Sequence, residues 1–228
     1  MTTFVLVHGS GQNAASWSRV GSLLKARGHT VTAPDLPKQA PTWGLEDYAT
    51  QIARSVTGPD TVVVAHSFSG AFLPLVPTLC ACAKIVFFAA VIPEPGKSVR
   101  DQFTEDPSMF HSAWIEAGAR WFDKSMERRL AEEFLFHDCD AEALAWALET
   151  VEVCDTRHLI TQPNPFTKWP SVPAASIVAT DDRTLSPEWG RRRSRRELAV
   201  EPLEMRTGHC PHMSQPRAFA DVLEALAP

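Results

Sequence analysis

The sequence predicts an α/β protein: one central, mostly parallel sheet of about six strands flanked by helices, with a helical lid inserted before the last two strands. Three observations carry this. Short β-rich runs alternate with helix-length segments; the early runs are near-continuous Val, Ile, Phe and Ala; and the alternation is interrupted once, by residues 93–170.

The strands read as Thr3 to Val7, Thr30 to Ala33, Thr61 to Ala65, Lys84 to Ala90, Ala174 to Ala179 and Pro202 to Met205. The first four are apolar enough to be covered on both faces. Between the first two, Trp17, Val20, Leu23 and Leu24 recur at helical spacing, and Gly28 stands where a C-terminal stop belongs. After Ser67, Phe72, Leu73, Leu75, Val76 and Leu79 continue an apolar pattern, but Pro74 and Pro77 would remove helix hydrogen bonds and bend it. Residues 93–170 hold half of the chain's aromatic residues and are too long for an ordinary crossover, so they read as an insertion. Within it Asp140 is placed to cap a helix carrying Leu144, Leu148 and Val151 on one face, and Ser125 to cap another before Leu130 and Phe134. The expected organisation is a core of residues 1–92 and 171–228 with a lid of residues 93–170.

With 228 residues, 44% apolar and 21% charged, the chain fits one compact domain. Its formal net charge of −5 argues against nucleic acid or anionic lipid as a partner. The longest apolar stretch, Ile85 to Pro93, falls far short of the roughly 20 residues that span a bilayer. The opening Met1-Thr2-Thr3 runs directly into Phe4-Val5-Leu6-Val7, without a basic region or cleavage site, so a cytoplasmic location is expected. Five cysteines, an odd set without CxxC spacing, read as free thiols, with Cys80 and Cys82 as small buried hydrophobes. The reading therefore calls for no metal and no cofactor. Arg191-Arg192-Arg193-Ser194-Arg195-Arg196 reads as a solvated helix face.

Chemistry concentrates at three places. Val62-Val63-Val64-Ala65-His66-Ser67-Phe68-Ser69-Gly70 is a buried strand running into a turn with Ser67 at its apex, the pattern of a nucleophile elbow. Such a turn is strained and demands small residues two before and two after the nucleophile, here Ala65 and Ser69. A serine there could also be a plain helix cap. The first strand ends in His8-Gly9-Ser10-Gly11-Gln12, which lacks the spacing of a dinucleotide or phosphate loop. It can instead supply one oxyanion donor, the Ser10 amide, to join the Phe68 amide; losing one such donor costs about 2.7–4 kcal/mol of transition-state stabilisation. A serine hydroxyl needs an imidazole to take its proton and a carboxylate to hold that imidazole. Downstream, Ser176-Ile177-Val178-Ala179-Thr180-Asp181-Asp182 ends in two acids, and Thr207-Gly208-His209-Cys210-Pro211-His212 follows the last strand. Adjacent acids leaving a strand point opposite ways, and Glu94 is a fallback. His209 is favoured over His212, which is placed to pack at the start of the last helix, and His66 is read as structural.

Together these pieces resemble the α/β-hydrolase family, most nearly the small bacterial esterases related to plant methylesterases and hydroxynitrile lyases. The likeness rests on Phe4 to Gly9, on Ala65 to Gly70, on Phe136-His137-Asp138-Cys139-Asp140, on Ile177 to Arg183 and on Thr207 to His212, with Gln215-Pro216 closing the pattern. It implies Ser67 as nucleophile, His209 as base and Asp182 as acid, with oxyanion amides at Ser10 and Phe68. Ala65 and Ser69 stand where glycine is usual. The lyases carry Thr at the position of Gly9 and Lys at that of Cys210, so an esterase is expected: a serine hydrolase of small, largely apolar carboxylic esters. Thioester, lactone or C–C hydrolysis, a lyase or cyclase step, and a ligand-binding protein of this fold are the alternatives. The expected partner is a small ester-like molecule, with homodimerisation left open. Phe103, Met109, Phe110, Trp114, Trp121, Phe122, Phe134, Phe136 and Trp146 either wall an apolar pocket or pack the lid onto the core.

Overall fold

The computed structural model describes residues 1–118, 128–155 and 157–228. Six strands, β1 (Thr3–Val7), β2 (Thr30–Thr32), β3 (Thr61–His66), β4 (Lys84–Phe88), β5 (Ala174–Ala179) and β6 (Leu203–Met205), form one sheet in the order β2-β1-β3-β4-β5-β6. Every pairing is parallel. Alternate side chains feed opposite faces. Val5, Val63 and Ile85 meet one apolar cluster, whereas Phe4, Leu6, Val62 and Val86 meet the other. The first face is covered by α2 (Leu45–Ala53) and Trp189, the second by α1 (Ser18–Ala26) and the C-terminal helix, residues 216–225. Gly28, at φ +87°, ends the turn after α1, as expected of a left-handed stop.

Besides shifts of a single terminal residue in β2, β3 and β6, two strands differ from expectation. β2 is half-exposed because it is an edge strand, not a doubly covered one. β4 stops at Phe88, because Ala89 turns to φ +40° and the chain leaves the sheet. The Val91 amide then donates to the Ser67 carbonyl at 3.0 Å, holding the departing chain beside the elbow. After Ser67 the expected bent helix is broken into a 3₁₀ turn (Ser67–Ala71), another at Leu73–Leu75, and α3 (Val76–Leu79). Pro74 and Pro77 each fall in the first positions of a piece, where no amide proton is required.

Between β4 and β5 lie α4 (Val99–Glu105), α5 (Ser112–Gly118), α6 (Arg128–Leu130), α7 (Ala141–Glu149) and α8 (Arg157–Ile160). Asp140 caps α7 as expected, accepting from the Ala143 amide at 2.8 Å. The expected cap Ser125 lies outside the described residues. The chain ends in α9 (Pro187–Glu197), β6, α10 (Pro211–Ser214) and α11 (Pro216–Ala225). On α9 the arginine run is not uniformly solvated: Arg193 is 5% exposed and pairs with Glu94, while Arg191, Arg192 and Arg195 pair with surface acids. No disulfide joins any of the five cysteines; Cys210 is buried and the other four, Cys80 and Cys82 among them, only half-buried. No helix among the described residues is long and apolar enough to cross a membrane.

Candidate active site

The C-terminal ends of β1, β3, β5 and β6 converge at one edge of the sheet, where parallel α/β folds place their sites. β3 ends at His66, and Ser67 follows at φ +56°, a strained conformation that projects its side chain from the apex. Gly70 is obligatory there, since a Cβ would lie 2.1 Å from the Val91 carbonyl oxygen.

The structure brings Ser67, His209 and Asp182 into one chain of hydrogen bonds. Ser67 Oγ lies 3.0 Å from His209 Nε2, and His209 Nδ1 lies 2.7 Å from Asp182 Oδ2. A carboxylate only accepts, so Nδ1 carries the proton and Nε2 is free to accept from Ser67. His209 and Asp182 are nearly fully buried, whereas Ser67 is half-buried. Asp182 Oδ1 accepts from the Thr184 amide (2.7 Å), the Thr184 hydroxyl (2.8 Å) and the Leu185 amide (3.2 Å), which fixes the carboxylate's orientation. The Thr184 oxygen is also 2.8 Å from His209 Nδ1. Sequence reasoning missed Thr184, although a hydroxyl two residues after an acid is a turn signal. Asp181 is turned to the exposed side near Arg206, and Glu94 is held by Arg193 and Lys97, away from His209.

The β1 loop is braced against this centre. A Cβ on Gly9 would meet His66 Nδ1 and Ser67 Cβ, each at 2.8 Å, so the loop touches the elbow only because residue 9 has no side chain. His8 Nδ1 donates to the Gly9 carbonyl at 2.9 Å, and its Nε2 accepts from the Leu36 amide at 3.0 Å. Burial pulls the His8 pKa down to about 4, so it serves as a neutral brace. The Ser69 hydroxyl donates to the His8 carbonyl at 2.6 Å. From α7's far end, the Glu152 amide donates to the Gly11 carbonyl at 2.8 Å, and Glu152 Oε1 accepts from Asn13 at 2.6 Å. Ser10 sits within the Gly9–Gln12 turn, and Phe68 in the first turn after the elbow, where backbone amides lack helical acceptors.

Beneath His209 lie His66 and His212, both packed as expected, although His212 lies in the short α10 and not at the start of the last helix. His66 Nε2 donates to the His209 carbonyl at 3.0 Å, and its ring stacks on Phe88. His212 stacks on Trp17 at 4.4 Å. Burial holds His66 well below the usual histidine range and His212 down to about 3. Among the described residues, His66, Cys210 and His212 form a group of three potential metal ligands whose ligand atoms all lie within 4.8 Å of one another. His66 already spends Nε2 on a carbonyl and turns Nδ1 against Gly9, and burial raises the Cys210 thiol far above its usual pKa, so the trio packs as neutral filling. Of the aromatic and Met candidates between β4 and β5, Met109, Phe103 and Phe110 pack on the core, and Phe136, Trp114 and Trp146 pack around Met213. Trp121 and Phe122 lie outside the described residues.

A family model described as the alpha/beta hydrolase family matches residues 4–222. The chain belongs to the alpha/beta hydrolase family. Methylesterase 2 of Arabidopsis thaliana is 28% identical over 262 residues, covering 98% of this chain and 95% of that protein. A pyrethroid hydrolase of Sphingobium wenxiniae is 24% identical over 249 residues, covering 100% and 88%. The crystal structure of polyneuridine aldehyde esterase matches with a TM-score of 0.76 at 21% identity, covering 100% of both chains, which speaks to the fold. The family expected from the motifs is the one found, and the chain is an α/β-hydrolase enzyme.

Proposed function

We propose that this α/β hydrolase is a cofactor-free serine esterase acting on small, largely apolar carboxylic esters. The observation that carries the reading is the hydrogen-bonded sequence Ser67 Oγ, His209 Nε2, His209 Nδ1, Asp182 Oδ2 at 3.0 and 2.7 Å, on an elbow at φ +56°. The names of the methylesterase and pyrethroid hydrolase relatives support an ester bond as the target. In this reading Ser67 attacks the ester carbonyl while His209 takes its proton, and Asp182 stabilises the imidazolium. The amides of Ser10 and Phe68 receive the developing oxyanion. His209 then protonates the leaving alcohol, and a water activated by the same imidazole releases the acid and restores Ser67. Residues 93–170 act as a lid on a core of residues 1–92 and 171–228. A cyanohydrin lyase is disfavoured because the residue after His209 is the buried, neutral Cys210 instead of a lysine.

The test is intact-mass spectrometry after exposure to a fluorophosphonate, on wild type and Ser67→Ala, beside turnover of short p-nitrophenyl esters. A single adduct lost in the variant, with ester turnover falling about 10⁴-fold or more, is expected. Absence of any adduct on the wild type would overturn the activated serine. An adduct without ester turnover would move the activity to thioesters, lactones or C–C bonds.

A further inference from the structure

The motif Phe136-His137-Asp138-Cys139-Asp140, between β4 and β5, has no part in the chemistry above. Its carboxylate nevertheless reaches the loop that carries His209. Asp138 Oδ2 accepts from the Gly208 amide at 2.8 Å and from the Ser214 hydroxyl at 2.8 Å. These donors stand on either side of His209 in sequence, so one oxygen closes the Gly208–Ser214 turn around the imidazole. Gly208 is fitted to this partner: a Cβ there would lie 2.7 Å from Asp138 Oδ1 and 2.7 Å from His137 Nε2. Oδ1 itself is buried without a donor among the described residues, a desolvation cost that packing alone does not explain. The neighbouring His137 Nε2 donates to the Asp181 carbonyl at 3.1 Å, beside Asp182. One dipeptide therefore grips both the base loop and the acid loop.

Resting on the triad proposed above, we propose that Asp138 is a positioning residue for His209. It never touches substrate. It fixes the backbone before and after the imidazole, while His66 fixes the His209 carbonyl from below, so that Nε2 stays aligned on Ser67. Misplacing a reacting group by about 1 Å costs on the order of 10²-fold in rate, so this alignment governs kcat more than binding.

The test compares Asp138→Ala, Asp138→Asn and Ser214→Ala with wild type, measuring kcat and KM on a short p-nitrophenyl ester and the rate of fluorophosphonate labelling. Asp138→Ala is expected to lower kcat and labelling together by about 10- to 100-fold, with KM within about twofold. Asn keeps an oxygen that accepts from both donors and is expected to restore most of the rate; Ser214→Ala is expected to give a smaller loss of the same kind. Unchanged kcat in Asp138→Ala, or an Asn variant no better than Ala, overturns the proposal. Where Asp138→Ala fails to fold, an unchanged kcat in Ser214→Ala overturns it equally. Ser67→Ala, run alongside, separates the two ideas: if it stays active the triad reading fails, whereas if it is dead and the Asp138 variants are not, only the positioning role fails.

Discussion

Adding one methyl group to the β1 loop tests whether that loop and the elbow form a single rigid unit. In Gly9→Ala the new Cβ would stand 2.8 Å from both His66 Nδ1 and Ser67 Cβ, about 0.6 Å short of ordinary contact at 3.4 Å. Neither neighbour yields easily. His66 is held by its stack on Phe88 and its bond to the His209 carbonyl, and Ser67 already sits at φ +56°. Overpacking of this kind costs roughly 1–3 kcal/mol, and each kcal/mol lowers Tm by about 2–4 °C in a chain of this size. If the elbow absorbs the shift, displacing the proposed nucleophile Ser67 by about half an ångström should lower kcat about tenfold. The assay pairs ester kinetics with thermal melting, using Gly58→Ala as control because a Cβ there meets nothing within 4 Å. A Gly9→Ala protein with wild-type kcat and Tm would refute the contact. One with lowered Tm but unchanged kcat would show that the loop gives way and does not shape the site.

Asp182→Asn keeps the side chain's shape but removes the charge that fixes the His209 tautomer, and kcat is expected to fall about 10⁴-fold in steady-state ester assays. Acid sensitivity follows from the buried neutral histidines. His8 and His212 titrate near 4 and 3 when folded and near 6.5 when unfolded, so the unfolded chain binds more protons below pH 6.5. Their contribution is complete above about pH 6.5 and is lost as pH falls towards 4 and then 3, roughly 3 kcal/mol for His8 alone. His212→Phe should flatten the fall of the urea midpoint between pH 7 and pH 4; an unchanged slope would count against a neutral buried His212. Arg193→Ala should destabilise by about 1–3 kcal/mol in chemical denaturation, because the buried Ile92 carbonyl and Gln102 side chain lose their donor and Glu94 is left with Lys97 as its close partner, whereas Arg195→Ala, more than half exposed like its partner Glu201, should stay within about 0.5 kcal/mol.

The contrast within that arginine run shows where sequence reading stops. Strands buried on both faces are legible because every residue must be apolar, and β1 and β5 begin and end at the expected residues. β2 misled because Thr-Val-Thr has the same composition at an edge as at the centre. The expected end of β4 at Ala90 overran because nothing in Ala89 announces a positive φ. Ser67 and His209 were legible from local spacing, but the choice of Asp182 over Asp181 needed the family resemblance. The contacts of Asp138 and Glu152 were invisible because their partners stand 70 and 139 residues away and share no periodicity with them. Arg193 had a faint signal, four residues after Trp189 on the same buried face of α9.

Ala65 and Ser69, where the family resemblance leads one to expect glycine, show how the elbow keeps its tightness without those residues. The steric demand falls instead on Gly9 and Gly70, whose Cβ positions are occupied by the elbow itself and by the Val91 carbonyl. With space reserved there, position 69 can hold a hydroxyl, and that hydroxyl binds the carbonyl of His8, two residues before Ser10. A buried carbonyl left without a donor costs about 1–3 kcal/mol, so the bond ties the loop to the turn that carries Ser67. Glu152 ties the same loop from the opposite side through Gly11. The Ser10 amide thus lies between two anchors, one from the core and one from the segment between β4 and β5. For the oxyanion site proposed above, preorganisation of this kind would spare the cost of reordering when charge develops.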